Sequence, residues 1–407
     1  MDYPPIPNTS PLTYNVAPPI PTTKPLSTRL TNPLPPKVGG KNIFAFWDSG
    51  IDNLPPYLLR NVINWHRRYA PLGWTVYVLD NVAGSSLNIS NYIDTTSAEV
   101  VPEAFTKGTL DGGYRAQHTS DLIRYPLLIK YGGVYLDAGI LLFSDLDWLW
   151  TTQIANPDSP YDFFGFTMGN APDLSVVNFT LVATQNNPLV RRAHYILLKL
   201  WEGKTNTTGT HKHPLVSHVP LLRVAKEVVV KEEGKDNMII NDEAMTDYAI
   251  QIQCMGAAQR WYDAEDNWDG PTYVREKCFL LSMIDATYIH EQITSWSGKR
   301  QHELFSLQLP KSGEEESEDQ ALARNIVERV VGEAWCIKLG HGFAAKLFGG
   351  DTLGMLWRKH DGTDCVEGTY AGWLRWAEVS VRQDKAMAKM EIDAFEPTMK
   401  GPLMARQ

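Results

Sequence analysis

Positive charge, paired cysteines and long apolar runs are what this chain has least of. Its 47 acidic residues outnumber its 38 lysines and arginines over 407 residues, for a formal net charge of −9, so no overall positive field recommends nucleic acid as a partner. The four cysteines, Cys254, Cys278, Cys336 and Cys365, form no C-x-x-C pair and have no histidine at zinc spacing. That argues against a zinc module or a dense disulfide framework and for reduced, buried thiols. Residues 1–40 carry prolines at 4, 5, 7, 11, 18, 19, 21, 25, 33, 35 and 36 but no apolar run of signal-peptide or membrane-anchor length. They read as a disordered or polyproline-rich tail. The corresponding expectation is a cytoplasmic protein without a transmembrane segment, with a Golgi-associated or secretory place as the alternative. Sequons at Asn8, Asn88, Asn178 and Asn206 would suit secretion but mean nothing in the cytosol. No internal repeat is visible.

What is present is an alternation of strand-like and helix-like patterns. Ile43 to Trp47 is apolar and strand-like, Leu58, Leu59, Val62, Ile63 and His66 recur at helical spacing, and Trp74 to Leu79 is a second β-rich run. Strand, helix, strand predicts a parallel βαβ start, which places Trp47, Asp48, Asp80 and Asn81 at the carboxyl edge where ligands bind in such sheets. Residues 188–201 open on Pro188 and carry Val190, Ala193, Ile196, Leu197 and Leu200, a further packing helix. Residues 311–320 are acidic and free of apolar side chains, a solvated loop.

The densest stretch runs from Thr119 to Leu142. Thr119 or Ser120 can cap a helix, Asp121 suits its positive end, and Gly132 or Gly133 supplies a left-handed stop. Asp121 and Arg124, three apart, share a helical face. Pro126 predicts a kink or a short helix. Beyond the glycines, an apolar run from Val134 to Phe143 reads as one strand, with Tyr135, Asp137, Gly139 and Leu141 on one face and Asp137 the only residue charged at neutral pH. A buried carboxylate must be paired, hydrogen-bonded or on a metal.

This block resembles the Ser-Asp-x-x-Arg … Tyr-Gly-Gly-x-Tyr/Trp-x-Asp-x-Asp signature of the capsular-polysaccharide-synthesis and mannosyltransferase-like glycosyltransferases. The resemblance spans about residues 41–380 and includes the Ile43–Gly50 and Trp74–Asn81 segments, Asn178, Asp247-Tyr248 and Lys338-Leu339-Gly340-His341. It implies an α/β, Rossmann-like nucleotide-sugar fold of the GT-A type with helical additions, between the N-terminal tail and a C-terminal tail over residues 381–407. It further implies transfer of a hexose from a UDP- or GDP-sugar to a carbohydrate, glycolipid or small-molecule acceptor, with retention; the alternative is a nucleotide-sugar-binding protein without activity. On this resemblance Asp137, Asn178 and Asp247 are the catalytic candidates. Trp47, Asp80, Asp121, Arg124, Tyr135, Asp137 and His341 would bind the donor: Trp47 by stacking on the base, Asp121 and Arg124 on sugar hydroxyls, His341 on the diphosphate. Mn²⁺ or Mg²⁺ is the implied cofactor, with Asp137 and His341 as protein ligands.

The signature's second acid falls on Gly139, which offers no ligand, whereas the capsule branch has Thr or Ser there. Asp145-Leu146-Asp147 is a literal Asp-x-Asp, but it follows the strand and reads as a solvent-facing or helix-capping pair. His211, His213 and His218 fit no zinc pattern.

Overall fold

The computed structural model describes residues 3–13, 28–171, 173–230, 238–347, 349 and 351–404. Its elements follow the predicted alternation at the start. Strand β1 (Asn42–Phe46) leads into helix α1 (Pro56–Tyr69), and β2 (Thr75–Leu79) returns parallel to β1. Pro56 opens α1, where its missing N–H costs nothing. Leu58, Val62, Trp65 and Tyr69 form its apolar stripe.

Helix α2 (Arg115–Tyr131) then delivers the chain to β3 (Gly133–Leu136). After the short β4 (Ile140–Leu142) come β5 (Phe163–Thr167), β6 (Val176–Ala183) and helix α3 (Pro188–Leu200). Helices α4 (Asp242–Tyr248) and α5 (Ile250–Gln259), strand β7 (Cys278–Ser282), helix α6 (Glu318–Glu333), strand β8 (Cys336–Lys338) and helices α7 (Leu353–Lys359) and α8 (Tyr370–Ser380) complete the body.

Among the described residues the central sheet has six strands in the order β7-β5-β6-β3-β1-β2. β1 is parallel to both β2 and β3, β7 is parallel to β5, and β6 runs antiparallel to its two neighbours. The result is a mixed α/β architecture. Its strands read as continuous apolar runs because both faces are covered. No helix among the described residues is long and apolar enough to cross a membrane.

Three local expectations are corrected. Helix α2 begins at Arg115, so Thr119 and Ser120 lie inside it rather than at its cap, and it runs on through Pro126. Leu122, Ile123, Leu127 and Leu128 are all buried, and that packing outweighs the roughly 3 kcal/mol an interior proline costs. The third concerns the apolar run after the glycines, which is not one strand. β3 stops at Leu136, Asp137 to Ile140 form a turn closed by the Ile140 N–H donating to Asp137 O at 3.1 Å, and β4 leaves the sheet to pair antiparallel with β8.

The glycine stop holds as expected. Gly132 and Gly133 have φ of 66° and 101°, and a Cβ would lie 2.6 Å from the Gln185 nitrogen at the first and 2.6 Å from Asn42 O at the second.

The proline-rich segment also departs from the expected tail where it is described. Tyr3, Ile6 and Leu12 are buried, and Thr9–Pro11 pairs antiparallel with Val381–Gln383; residues 14–27 lie outside the described residues. The C-terminal stretch returns as well, with Met390 N–H donating to Leu280 O at 2.8 Å. Of the solvated loop expected over residues 311–320, residues 311–316 are loop, but Ser317 closes a capping box with Gln320 and α6 begins at Glu318. The literal Asp-x-Asp is structural: Asp145 caps the short helix Leu146–Trp148, while Asp147 accepts from Lys41 at 2.6 Å and from Trp74 Nε1 at 2.8 Å.

Candidate functional site

A strand that leaves its sheet exposes its carbonyls, and the way these are satisfied fixes the site. From Ala138 onward the chain abandons β6, and α1 supplies replacement donors along one face. Asn61 Nδ2 donates to Ala138 O at 2.7 Å, Trp65 Nε1 to Ile140 O at 3.1 Å, and Arg68 Nη2 to Phe143 O at 2.8 Å. Buried carbonyls demand such partners. Asp137, at the hinge of this departure, is held at the carboxyl end of β3 by its own N–H donating to Phe179 O at 2.9 Å.

Around Asp137 the fold collects groups from five segments. Arg124 of α2 forms an ion pair with Asp121 at 2.8 Å, stands 3.6 Å from Asp137, and donates to the Asn178 carbonyl of β6. Asn178 Nδ2 donates to Asp121 Oδ1 at 3.0 Å and to Gln251 Oε1 of α5 at 3.1 Å. Tyr135 lies under the guanidinium, 4.6 Å from ring centroid to Cζ, with its hydroxyl 2.7 Å from Ser120 Oγ. Lys338, the last residue of β8, donates to Asp137 Oδ2 at 2.7 Å. His341 follows it, half-buried, with Nδ1 enclosed and without a hydrogen-bonding partner among the described residues.

The charges explain one another. Burial alone would raise the Asp137 carboxyl, but Lys338 and Arg124 together hold it below its ordinary value. Burial opposes the Arg124 charge, yet Asp121, Tyr135 and Asp137 leave it more firmly protonated. His341 is depressed to about 3 by desolvation, reinforced by Lys338 and opposed by Asp137, so its imidazole is neutral at pH 7.

Of the expected site residues, Asp121, Arg124, Tyr135, Asp137, Asn178 and His341 gather in this one place. Trp47 stands one strand over, just past the end of β1, in a register that pairs Phe44 with Tyr135. Its ring is half-buried and its Nε1 donates to Asn53 O at 3.2 Å. Two residues are engaged elsewhere. The Asp80 carboxylate accepts from Val82 N at 3.0 Å and Ser85 Oγ at 2.6 Å, shaping its own turn. Asp247 accepts from Gly209 N at 2.7 Å, His211 N at 2.9 Å and His211 Nδ1 at 2.8 Å, so its carboxylate anchors the Gly209–His211 segment.

The structure adds Gln251 and Lys338. A lone lysine ending the apolar Cys336-Ile337 pair was a usable signal for the second; Gln251, one of three glutamines in an otherwise apolar helix, was a fainter one.

Gly139 is where the missing second acid has a steric reason. A Cβ there would lie 2.6 Å from His341 Cε1 and 3.2 Å from Leu339 O, so the imidazole takes up the room a side chain would need. Gly139→Ala is therefore expected to push His341 aside and destabilise the protein by about 1–3 kcal/mol, as overpacking does. A chemical-denaturation midpoint equal to wild type would show that the ring yields freely.

The donor set does not fit a resident Mn²⁺ or Mg²⁺. Among the described residues no three His, Cys, Asp or Glu side chains group as metal ligands, and the available carboxylate already carries an ammonium at 2.7 Å. A dication and a lysine about 4 Å apart repel by about 8 kcal/mol at an effective dielectric of about 20.

A carboxylate–guanidinium cluster at the carboxyl edge of a mixed α/β sheet defines the class as one built to bind a ligand at strand ends, and comparison with known proteins makes that class glycosyltransferases. Residues 26–267 match the capsular polysaccharide synthesis protein family, to which the chain belongs. It is 36% identical over 360 residues to the O-glycosyltransferase braB of Annulohypoxylon truncatum, covering 88% of this chain and 84% of that protein. It is 34% identical over 363 residues to the glycosyltransferase afumC of Aspergillus fumigatus, covering 88% and 89%. The O-glycosyltransferase PaGT of Phomopsis amygdali is 32% identical over 366 residues, covering 88% and 86%. The chain is a glycosyltransferase.

Proposed function

We propose that this enzyme transfers a hexose from a UDP- or GDP-sugar to a hydroxyl of a carbohydrate, glycolipid or small-molecule acceptor, with retention of configuration, on a fold of the GT-A type. The observation that carries the reading is the Asp121–Arg124–Asn178–Asp137 constellation at the end of β3, a set of charged and amide groups suited to sugar and ribose hydroxyls. Two relatives named as O-glycosyltransferases support a hydroxyl acceptor.

In this reading Asp121 and Arg124 grip the donor sugar, Asp137 lies at the ribose and the reacting centre, Asn178 holds Asp121 in place, and His341 donates to the diphosphate. Retaining glycosidases set two carboxylates about 5–5.5 Å apart around the bond they cleave. Asp121 and Asp137 both pair with Arg124, whose single positive charge offsets part of theirs. A front-face displacement, in which the departing phosphate accepts the acceptor's proton, fits this arrangement better. The test is release of nucleoside diphosphate by purified protein across a panel of UDP- and GDP-hexoses. No release from any of them sinks the reading, and the anomeric configuration of a product separates retention from inversion.

Trp47 supplies a further check. Its half-buried ring lies one residue beyond β1, and in this reading it stacks on the nucleobase, so Trp47→Ala is expected to weaken nucleotide binding by about 1–3 kcal/mol. Unchanged affinity in a folded variant removes Trp47 from the donor site, and loss of the circular-dichroism signal shows it to be a core residue.

A further inference from the structure

The second acid of the signature is absent, its room is filled by His341, and the first acid carries a lysine from a segment 201 residues away. We propose that Lys338, held on Asp137 from the β4–β8 ladder, neutralises the departing diphosphate in place of a divalent cation. The assignment rests on the nucleotide-sugar reading above.

The chemistry requires charge at this place. As transfer proceeds, the bond from sugar C1 to the β-phosphate oxygen breaks with its electron pair staying on the diphosphate. The acceptor oxygen forms the new bond to C1, and the acceptor's proton ends on the leaving phosphate oxygen. The diphosphate thus gains negative charge before that proton arrives, and a fixed cation already in position stabilises this gain.

Lys338 meets the requirement in three respects. Its ammonium has three donors, of which one goes to Asp137 and the others have no hydrogen-bond partner among the described residues. Its side chain is 14% exposed, so it is desolvated yet reachable. Its position is fixed by backbone pairing, Lys338 opposite Ile140, with Leu339 N–H donating to Gly139 O at 2.9 Å. Arg124 stands behind Asp137 and keeps that carboxylate from cancelling the lysine.

The experiment is calorimetric titration of UDP and GDP into the full chain, with EDTA and with Mn²⁺, and with uridine and guanosine as controls lacking phosphate. The preferred nucleotide is expected to bind with affinities within about threefold under the two conditions, and Lys338→Met to weaken it about 10- to 100-fold, as loss of a charge-assisted hydrogen bond does. The nucleoside controls should be unaffected. Lys338→Arg, which keeps the charge and the salt bridge, should recover most of the loss, and equal thermal midpoints confirm that the variants fold. Binding that appears only with Mn²⁺ overturns the lysine assignment and leaves the nucleotide-sugar reading standing. Full affinity in Lys338→Met likewise overturns it. If neither nucleotide binds in either condition, the functional reading fails and this inference with it.

Discussion

Asp137→Asn is expected to lower the turnover number about 10²- to 10³-fold, the range for losing one preorganised electrostatic group at a reacting centre, while affinity for nucleoside diphosphate holds or rises. The split follows from the charges. The wild-type carboxylate holds Lys338 at 2.7 Å and Arg124 at 3.6 Å, and an amide of the same shape releases both. Two freed cations still attract a diphosphate, but neither is aimed at the charge that develops as the sugar departs. Steady-state transfer with the donor, alongside nucleotide titration of the same preparation, measures both quantities. Turnover within about threefold of wild type would remove Asp137 from the reacting centre.

The largest effect on stability is expected away from the chemistry, at Asp364. Its side chain is 0% exposed. It accepts from Arg60 Nε at 2.8 Å and from Arg375 Nη2 at 2.7 Å and Nε at 3.1 Å. Arg375 also donates to Glu378 at 3.0 Å, to Asn61 Oδ1 at 2.5 Å and to Tyr57 O at 3.0 Å, tying α8 to α1. Asp364→Asn leaves two buried guanidinium groups facing an amide, and breaking a buried pair from one side costs about 3–5 kcal/mol. The same Asn61 holds Ala138 O beside Asp137, so the cluster is also the site's foundation.

The expected readout is a lower denaturation midpoint at unchanged slope; a loss under about 1 kcal/mol would mean the arginines find other partners. Acid should have a related effect. Burial raises the Asp364 carboxyl, but Arg375 and Arg60 bring it below its usual range. Its contribution is therefore complete above the unfolded value near pH 3.9 and is lost as pH falls through the lower folded value.

Short-range relations were legible in the sequence. The βαβ opening, the shared helical face of Asp121 and Arg124, the glycine stop and the capping role of Asp145 each depend on residues a few positions apart, where helical or strand geometry dictates the neighbours. The resemblance added the family and drew attention to Asp137, Asn178 and His341. Local rules failed where packing overrode them. Pro126 stays helical because the residues around it are buried, and the apolar run from Val134 breaks at Asp137 because β8, some 200 residues downstream, captures its second half. No periodicity in the run itself encodes that exchange of partners.

The sequence by itself determined which elements form and which side chains can share a face, since those follow from backbone geometry within a few residues. Only the tertiary structure decided what each charge meets. It turned Asp80 and Asp247 toward their own loops, set Gln251 against Asp121 and Asn178, seated His341 over Gly139, and brought Lys338 onto Asp137. The physical reason is that an ionic partner is chosen by proximity and desolvation in the folded state, and both depend on strand pairings between distant segments that no local pattern specifies.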